Sequence, residues 1–455
     1  MQRRGMLRGA LLFALPAIFE NLMVTLVSMV DTAMVGVLGA QATAATALNA
    51  SPNWLVNSAA MIVSGGATVL VARLWGAKDY ERAGLCARQS LVWAILLGIL
   101  LTLAAQCVAP YYPHWMQAEP GVAQEATAYM RIVSAAYIPH VIAITLYGAA
   151  RAGGDLKTPM RISLGVNLLN VVGNFLLIYE TRTLPLFGGI RIWGAGMGVR
   201  GAALSTAISM GLSGLAMLFL FSRRQDALKL TRRDSYSLRG GGRILRVGLP
   251  VATERVIIQI GQILFASIVS SLGTIPLSAH HLAVTAEGVC YNPAFGLSSA
   301  AMTSVGQSMG AKLLPRAQRE GRTYLVLCLG VMLLVSAMMY GFAPWMIGVF
   351  TPDAQVVEMG AMALRIVALA EPLFGLSIVG TGILRSAGDA SAPVWIGLFC
   401  MLAVRVPLAY LFVHGLGWGL AGAWIAMDID LALRGLLTVG RFFSGRWKSR
   451  AEIPA

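Results

Sequence analysis

Asp31 is the residue from which a chemical reading of this sequence starts. It lies deep in an apolar run from about residue 10 to 38 whose one other charge is Glu20. An ionisable side chain is expensive at bilayer depth, so one found there commonly marks an ion pathway, a proton relay or a binding site. The competing reading is a structural acid hydrogen-bonded between neighbouring helices.

A second constellation is a stripe of amides. Asn167, Asn170 and Asn174 follow an i, i+3, i+7 spacing, which puts all three on one face of a helix. Amides in a membrane helix need partners inside the protein. They either glue helices together or line a polar site. Further acids stand singly in apolar runs at Glu254 and Glu287, and Glu287 is followed one turn later by Tyr291 and then by Pro293. A carboxylate beside an aromatic face suits a lipophilic cation, so Glu254, Glu287, Tyr291, Glu20 and the polar Asn53 are candidates for a substrate cavity. Each has a structural alternative: a buried acid bonded to another helix. Asp430 and Arg434, at i, i+4, read as a local ion pair.

The elements that must position these groups are membrane helices. With 57% hydrophobic and 12% charged residues in 455, the chain is far more apolar than a soluble domain. Twelve hydrophobic runs are long enough to cross a hydrocarbon core of about 30 Å. They cover approximately residues 10–38, 47–75, 86–109, 124–150, 158–180, 198–222, 243–272, 278–309, 322–349, 357–384, 391–413 and 418–440. Several contain Pro or Gly, so tilted or kinked helices are expected. The net charge of +15 sits on alternate connections, from Arg3, Arg4 and Arg8 to Arg441 and Lys448, while the opposite connections carry little beyond Arg182 and Arg191. That is the pattern of the positive-inside rule; it places both termini in the cytoplasm and argues against nucleic acid as a partner. The five cysteines show no metal or disulfide spacing and read as packing residues.

The polar stretch Ser222 to Arg246 divides the chain, and an offset of 234 residues superimposes the two sides. Leu15, Pro16 and Glu20 map to Leu249, Pro250 and Glu254; Gly76, Ala77 and Lys78 map to Gly310, Ala311 and Lys312; Arg131 maps to Arg365, and Arg151, Gly154 and Asp155 map to Arg385, Gly388 and Asp389. The register breaks only after residue 180, at a longer loop in the first half. The expected architecture is therefore an all-α integral membrane protein with twelve transmembrane helices in two pseudo-symmetric six-helix bundles. Residues 1–222 form an N-lobe, 223–242 a cytoplasmic linker and 243–455 a C-lobe. Six spans per half, an even number, imply a parallel repeat whose substrate lies between the lobes.

These motifs resemble the multidrug and toxic compound extrusion family of the flippase superfamily that also contains oligosaccharide-lipid and polysaccharide exporters. The resemblance is carried by VDTAMVGVLG (30–39), ARAGGDLKTPM (150–160), NLLNVVGNFLLIY (167–179), GVRGAALSTAI (198–208), LPVATERV (249–256), SVGQSMGAK (304–312) and LRSAGDASAP (384–393). It implies secondary active efflux of organic, often cationic, amphiphilic molecules in exchange for H+ or Na+, with no cofactor. It also assigns Asp31 as the coupling acid, with Asn170 and Asn174 beside it. Sodium, if used, would be held by Asp31, Asn170 and Asn174, and Asn167 completes the stripe. The offset sends the three amides to Met401, Val404 and Leu408, so coupling is expected in the first half alone. The family's second-half acid falls at the apolar Ile258, one turn beyond Glu254. A lipid-linked oligosaccharide flippase is the alternative within transport; its usual extra spans and basic cavity are missing. A membrane-embedded enzyme would need HExxH or a Cys/His cluster, and an ATP-driven pump would need GxxxxGK[ST]; the sequence has none of these. The expected protein is a multi-pass, monomeric transporter of the cell (inner) membrane.

Overall fold

The computed structural model describes residues 2–116, 118–184, 190–230 and 241–450, so the middle of the expected linker, 231–240, lies outside the described residues. The first half runs α1 (Gln2–Gly36), α2 (Ala40–Leu48), α3 (Ala50–Gly76), α4 (Tyr80–Val108), the short α5 (Tyr112–Trp115), α6 (Pro120–Ser134), α7 (Tyr137–Ala152) and α8 (Lys157–Leu177). A hairpin of β1 (Glu180–Leu184) and β2 (Ile190–Ala195) follows, then α9 (Gly198–Arg223). The longer loop after residue 180 is thus an antiparallel hairpin, which pairs its own backbone groups.

The second half runs α10 (Gly241–Ser270), α11 (Thr274–Cys290), α12 (Asn292–Gly310), α13 (Leu314–Gly348), α14 (Ala354–Ser386) and α15 (Ser391–Leu398). Span eleven then continues through a π-helical turn at Phe399–Arg405, α16 (Val406–Tyr410) and a second π turn at Leu411–Gly415, before α17 (Gly419–Phe443). Among the described residues, nine helical stretches are long and apolar enough to cross a membrane, and α6 with α7 adds a tenth as a pair bent by 52°. The other two of the twelve fail a simple length and charge test for local reasons. The pair α11–α12 is broken at Tyr291, beside Pro293, and α17 carries Asp428, Asp430 and Arg434.

The chain gathers into two compact units, one of residues 1–22, 72–78 and 249–455 and the other of 23–71 and 79–248. In the first unit α14 is buried along its length and packs on α17 through small residues. A Cβ at Gly435 would strike the Leu373 carbonyl, and one at Gly380 would meet the Thr438 methyl. Small residues are what lets membrane helices approach closely where no hydrophobic effect drives them together.

The 234-residue repeat reappears as repeated local geometry. Gly39 and Gly273 both take φ of 104°, Gly154 and Gly388 take 94° and 88°, and Lys78 and Lys312 take 60° and 58°. Ser64 donates to the Ile144 carbonyl at 3.0 Å and Ser298 to the Ile378 carbonyl at 2.9 Å. Thr102 donates to the Ser134 carbonyl at 3.2 Å, and its counterpart Ser336 donates to the Ala368 carbonyl. Lysine rarely adopts a positive φ. Both stand two residues past a helix C-terminus, Gly76 and Gly310, where the helix dipole favours a positive charge.

One contact in the first unit is reciprocal. A Cβ at Gly76 would fall on the carbonyl of Gln307, and a Cβ at Gly310 would fall on the carbonyl of Arg73, the residue 234 positions before Gln307. The ends of α3 and α12 therefore meet through equivalent surfaces, as in a two-fold interface. Gly76→Val should lower thermal stability in detergent by roughly 1–3 kcal/mol through backbone overpacking. Gly165→Val, where nothing lies within 4 Å, should melt with the wild type in the same fluorescence-detected assay. Equal melting of both variants would disprove the close approach.

Candidate functional site

Asp31 is half-buried near the end of α1, and α8 brings its amides to it. Asn174 Nδ2 donates to Asp31 Oδ1 at 2.6 Å. With its amide turned toward the acid, Asn170 donates to both Asp31 oxygens, at 3.0 and 2.8 Å, while its own Oδ1 accepts from Ser205 Oγ at 3.3 Å. Turned the other way, Asn170 Nδ2 donates to Ser205 Oγ at 3.3 Å. Asn170 and Asn174 are buried, 5% and 1% exposed. Neither amide can fall back on water, so the partner of each depends on Asp31.

The local sequence explains this placement. Gly173 has no Cβ, which would otherwise collide with Ser205 Oγ, so α9 can close on α8 and Ser205 can also donate to the Asn170 carbonyl at 2.8 Å. Tyr179, two residues past the end of α8, donates its hydroxyl to the Met34 carbonyl at 2.8 Å. That bond fixes α1 less than one turn beyond Asp31. Tyr129 of α6, hydrogen-bonded to Thr206, lies within electrostatic reach of the same carboxylate.

The buried Oδ1 of Asn174 has no hydrogen-bond partner among the described residues. An unanswered acceptor beside a carboxylate suits a proton carried by the acid or a hard cation taking oxygen ligands. Asn167 is not part of this arrangement: it donates back to Ser163 of its own helix, to the carbonyl at 2.8 Å and to Oγ at 3.2 Å. Asn53 lies elsewhere too, accepting from the Tyr137 hydroxyl at 2.9 Å. Glu20 is buried on α1.

In the second half, Glu254 is held in an ion pair by Arg385 of α14. The buried Glu287 instead falls among acids, within electrostatic reach of Glu371 on α14 and Asp428 on α17. Both carboxylate oxygens of Glu371 and Oδ1 of Asp428 are buried with no hydrogen-bond partner among the described residues. Beside them Asp430 is saturated: Arg405 Nε lies 2.7 Å from it, and Arg434 Nη2 donates to both its oxygens at 2.9 Å. Tyr291 packs edge-on against Phe295 and Phe374, with centroids 5.8 and 5.6 Å away. Glu287 and Glu371, both buried, and the half-buried Asp428 make no ion pair among the described residues, and three such carboxylates together suit a positively charged guest. No His, Cys, Asp or Glu group among the described residues is arranged to hold a metal ion.

The MatE family model matches residues 16–176 and 250–411, two stretches that begin at Pro16 and Pro250, at the offset of the internal repeat. The chain belongs to the MATE family. It is a membrane transporter and not an enzyme. Among its MATE relatives, a probable multidrug resistance protein NorM of Pseudomonas aeruginosa is 30% identical, over 98% of this chain and 91% of its own. A second of the same description, from Thermotoga maritima, is 28% identical over 97% of this chain and 93% of its own. A solved structure described as the outward-facing conformation of a multidrug resistance MATE family transporter of the MOP superfamily aligns with a TM-score of 0.89 at 24% identity. It covers 98% of both chains.

Two parts of this MATE site escaped the sequence reading. Glu371 is the acid deep inside the run 357–384, whose other acid, Glu358, stands at its start; it lies directly before Pro372, and the criterion that picks out Asp31 would have found it. Ser205 carries no such signal, because its role depends on α9 closing over Gly173. Asn174→Ala and Asn170→Ala should each weaken sodium binding at Asp31 by about tenfold, the order of one polar contact in a buried site. Asn167→Ala should leave it unchanged, as read by tryptophan fluorescence titration with sodium. An Asn167 effect equal to the other two would mean that the stripe works as one unit.

Proposed function

We propose that this chain is a secondary active multidrug efflux antiporter that exports organic, cationic and amphiphilic compounds in exchange for H+ or Na+. The observation that carries the coupling half of this reading is the contact of Asp31 with two buried amides, one of them with an unanswered oxygen. The multidrug resistance relatives support efflux as the direction. Residues 1–222 and 243–455 act as the transport lobes, joined by 223–242. The chain works as a monomer in the inner membrane with both termini cytoplasmic.

Ionised Asp31 accepts hydrogen bonds from both amides. A proton on the acid, or a sodium ion beside it, reverses that demand, and an amide answers by presenting its oxygen instead of its nitrogen. The contacts of α1 with α8 are thereby remade, and Pro16, which removes a helix hydrogen bond inside α1, gives the helix a place to bend. Cargo is recognised separately, by Glu287, Glu371 and Asp428 with the aromatic face of Tyr291.

Reconstituted in proteoliposomes, the wild type should move a cationic dye under either an imposed proton or an imposed sodium gradient, whichever is its coupling ion. Asp31→Asn should abolish gradient-driven transport while remaining monodisperse and still binding dye. Wild-type rates in Asp31→Asn would reduce Asp31 to a structural acid. For the cargo half, Glu287→Gln combined with Glu371→Gln should weaken dye binding by at least about tenfold, the scale of one lost charge interaction in a buried site. Unchanged dye affinity would remove these acids from cargo recognition without touching the coupling site.

A further inference from the structure

We infer that the first half carries a phosphate-binding pocket at the ends of its helices, built by Arg131 and Arg200, and that its ligand is the phosphate of a membrane phospholipid. The pocket is an open-sided cavity of about 460 Å³ lined by residues that include Pro110, His114, Gln124, Thr127, Arg131 and Arg200. That volume falls in the range of roughly 300–1,000 Å³ typical of small-ligand sites. Its walls come from the connection after α4, from α6 and from the first turn of α9, all within one compact unit.

The arginines are the telling part. Arg131 makes no ion pair among the described residues. The nearest acid to Arg200 is Glu125, at 3.9 Å with both side chains partly exposed, a separation and setting in which a pair adds little. Guanidinium groups from two different helices, facing one cavity with their donors uncommitted, match the planar, bidentate demands of a phosphate. The end of the helices where they stand is also the one the positive-inside pattern leaves poor in basic residues, so topology does not account for them.

The internal repeat supplies a control. Arg365, the counterpart of Arg131, has its guanidinium 5.9 Å from the centre of the Tyr340 ring, so the second half covers its arginine with an aromatic face. The first-half counterpart of Tyr340 is Gln106. Its amide donates to the Arg131 carbonyl at 2.8 Å and to Ser134 Oγ at 2.9 Å, away from the guanidinium. Arg131 is thus left uncovered where its twin is not.

The depth of the pocket selects a lipid over other phosphates. Tyr111 and Trp115, each next in sequence to a lining residue, are 60% and 67% exposed and stacked 6.4 Å apart, and Trp345, the repeat partner of Tyr111, is 69% exposed. Exposed Tyr and Trp at the ends of membrane helices mark the headgroup level. A phosphate at that level, with acyl chains running down the apolar flank of α4, satisfies both parts of the surface.

The test uses the full chain, delipidated in a phosphate-free maltoside detergent and titrated with phosphatidylglycerol under native mass spectrometry, with a diacylglycerol of the same acyl chains as the uncharged arm. The wild type should retain a phosphatidylglycerol that Arg131→Gln/Arg200→Gln binds at least about tenfold more weakly, and diacylglycerol should not take its place. Arg365→Gln should behave as wild type. Both arginines are exposed, so the double variant should stay monodisperse and move dye. If it does not, each single variant is measured alone and should lose part of the affinity. Inorganic phosphate is the third arm: if it raises the melting temperature of the wild type but not of the variants, and phosphatidylglycerol adds nothing, the pocket binds phosphate but not lipid, which overturns the lipid assignment. Equal phosphatidylglycerol retention by wild type and arginine variants overturns the pocket altogether.

Discussion

A carboxylate inside a membrane protein has no water to turn to, so protein groups must serve it in whatever charge state it adopts. Asp31 is served by two carboxamides, the side-chain type that can donate or accept by rotating about a single bond. A lysine or arginine there would hold the acid permanently ionised, and an apolar wall would hold it permanently neutral. The amides permit both states, and each state asks for a different arrangement of the same atoms. Because Asn170 also reaches Ser205 on α9 and Asn174 reaches Asp31 on α1, a change at the acid is felt on three helices. The arrangement depends on Gly173, whose missing side chain brings α9 close enough to take part.

The second half handles buried charge by a different rule. Asp430 is neutralised twice over by Arg405 and Arg434 and is a fixed structural node. Glu287, Glu371 and Asp428 have no such partner among the described residues, although Arg405 is near enough to act on both Glu287 and Asp428 electrostatically. Removing one partner from a saturated buried pair leaves an uncompensated charge and costs several kcal/mol, whereas an unsaturated cluster gains from an incoming cation. The same residue types therefore divide into those that hold the fold together and those left available to a guest, and the partners decide which is which. Glu254 falls in the first group because Arg385 reaches it.

Most of the architecture was legible because membrane helices announce themselves by length and hydropathy, and because an internal duplication writes each packing device twice. Ser64 and Ser298, or Gly154 and Gly388, carry the same bond or the same backbone angle at a fixed spacing. Legibility failed where tertiary contacts set the local form. The π turns of span eleven leave no mark in hydropathy, whereas the break at Tyr291 has its mark in Pro293. The strands after residue 180 were read as loop because their pairing is short and closed on itself. At the site, a lone acid and a periodic amide stripe pointed to the Asp31 contact, while Asn167 shared the periodicity without sharing the contact. Helical spacing predicts which residues face the same way, and only the depth and tilt of the partner helix decide how many of them are reached.

Duplication also explains how one half could specialise. Once two copies of a six-helix unit share the structural work, a span in either copy is free to change its face without loss of the scaffold. Span five keeps a regular helix and three amides, whereas its repeat partner places Met401, Val404 and Leu408 at the equivalent positions and rewinds part of itself into π turns. A π turn inserts an extra residue per turn and rotates everything after it. Arg405 ends the first such turn and is carried inward onto Asp430, buried to 3% exposure. The segment that holds a titratable acid's amides in one half thus supplies a fixed counter-charge in the other. On the proposed function, ion coupling and charge neutralisation fall on equivalent spans of opposite halves, where a change in one need not disturb the other.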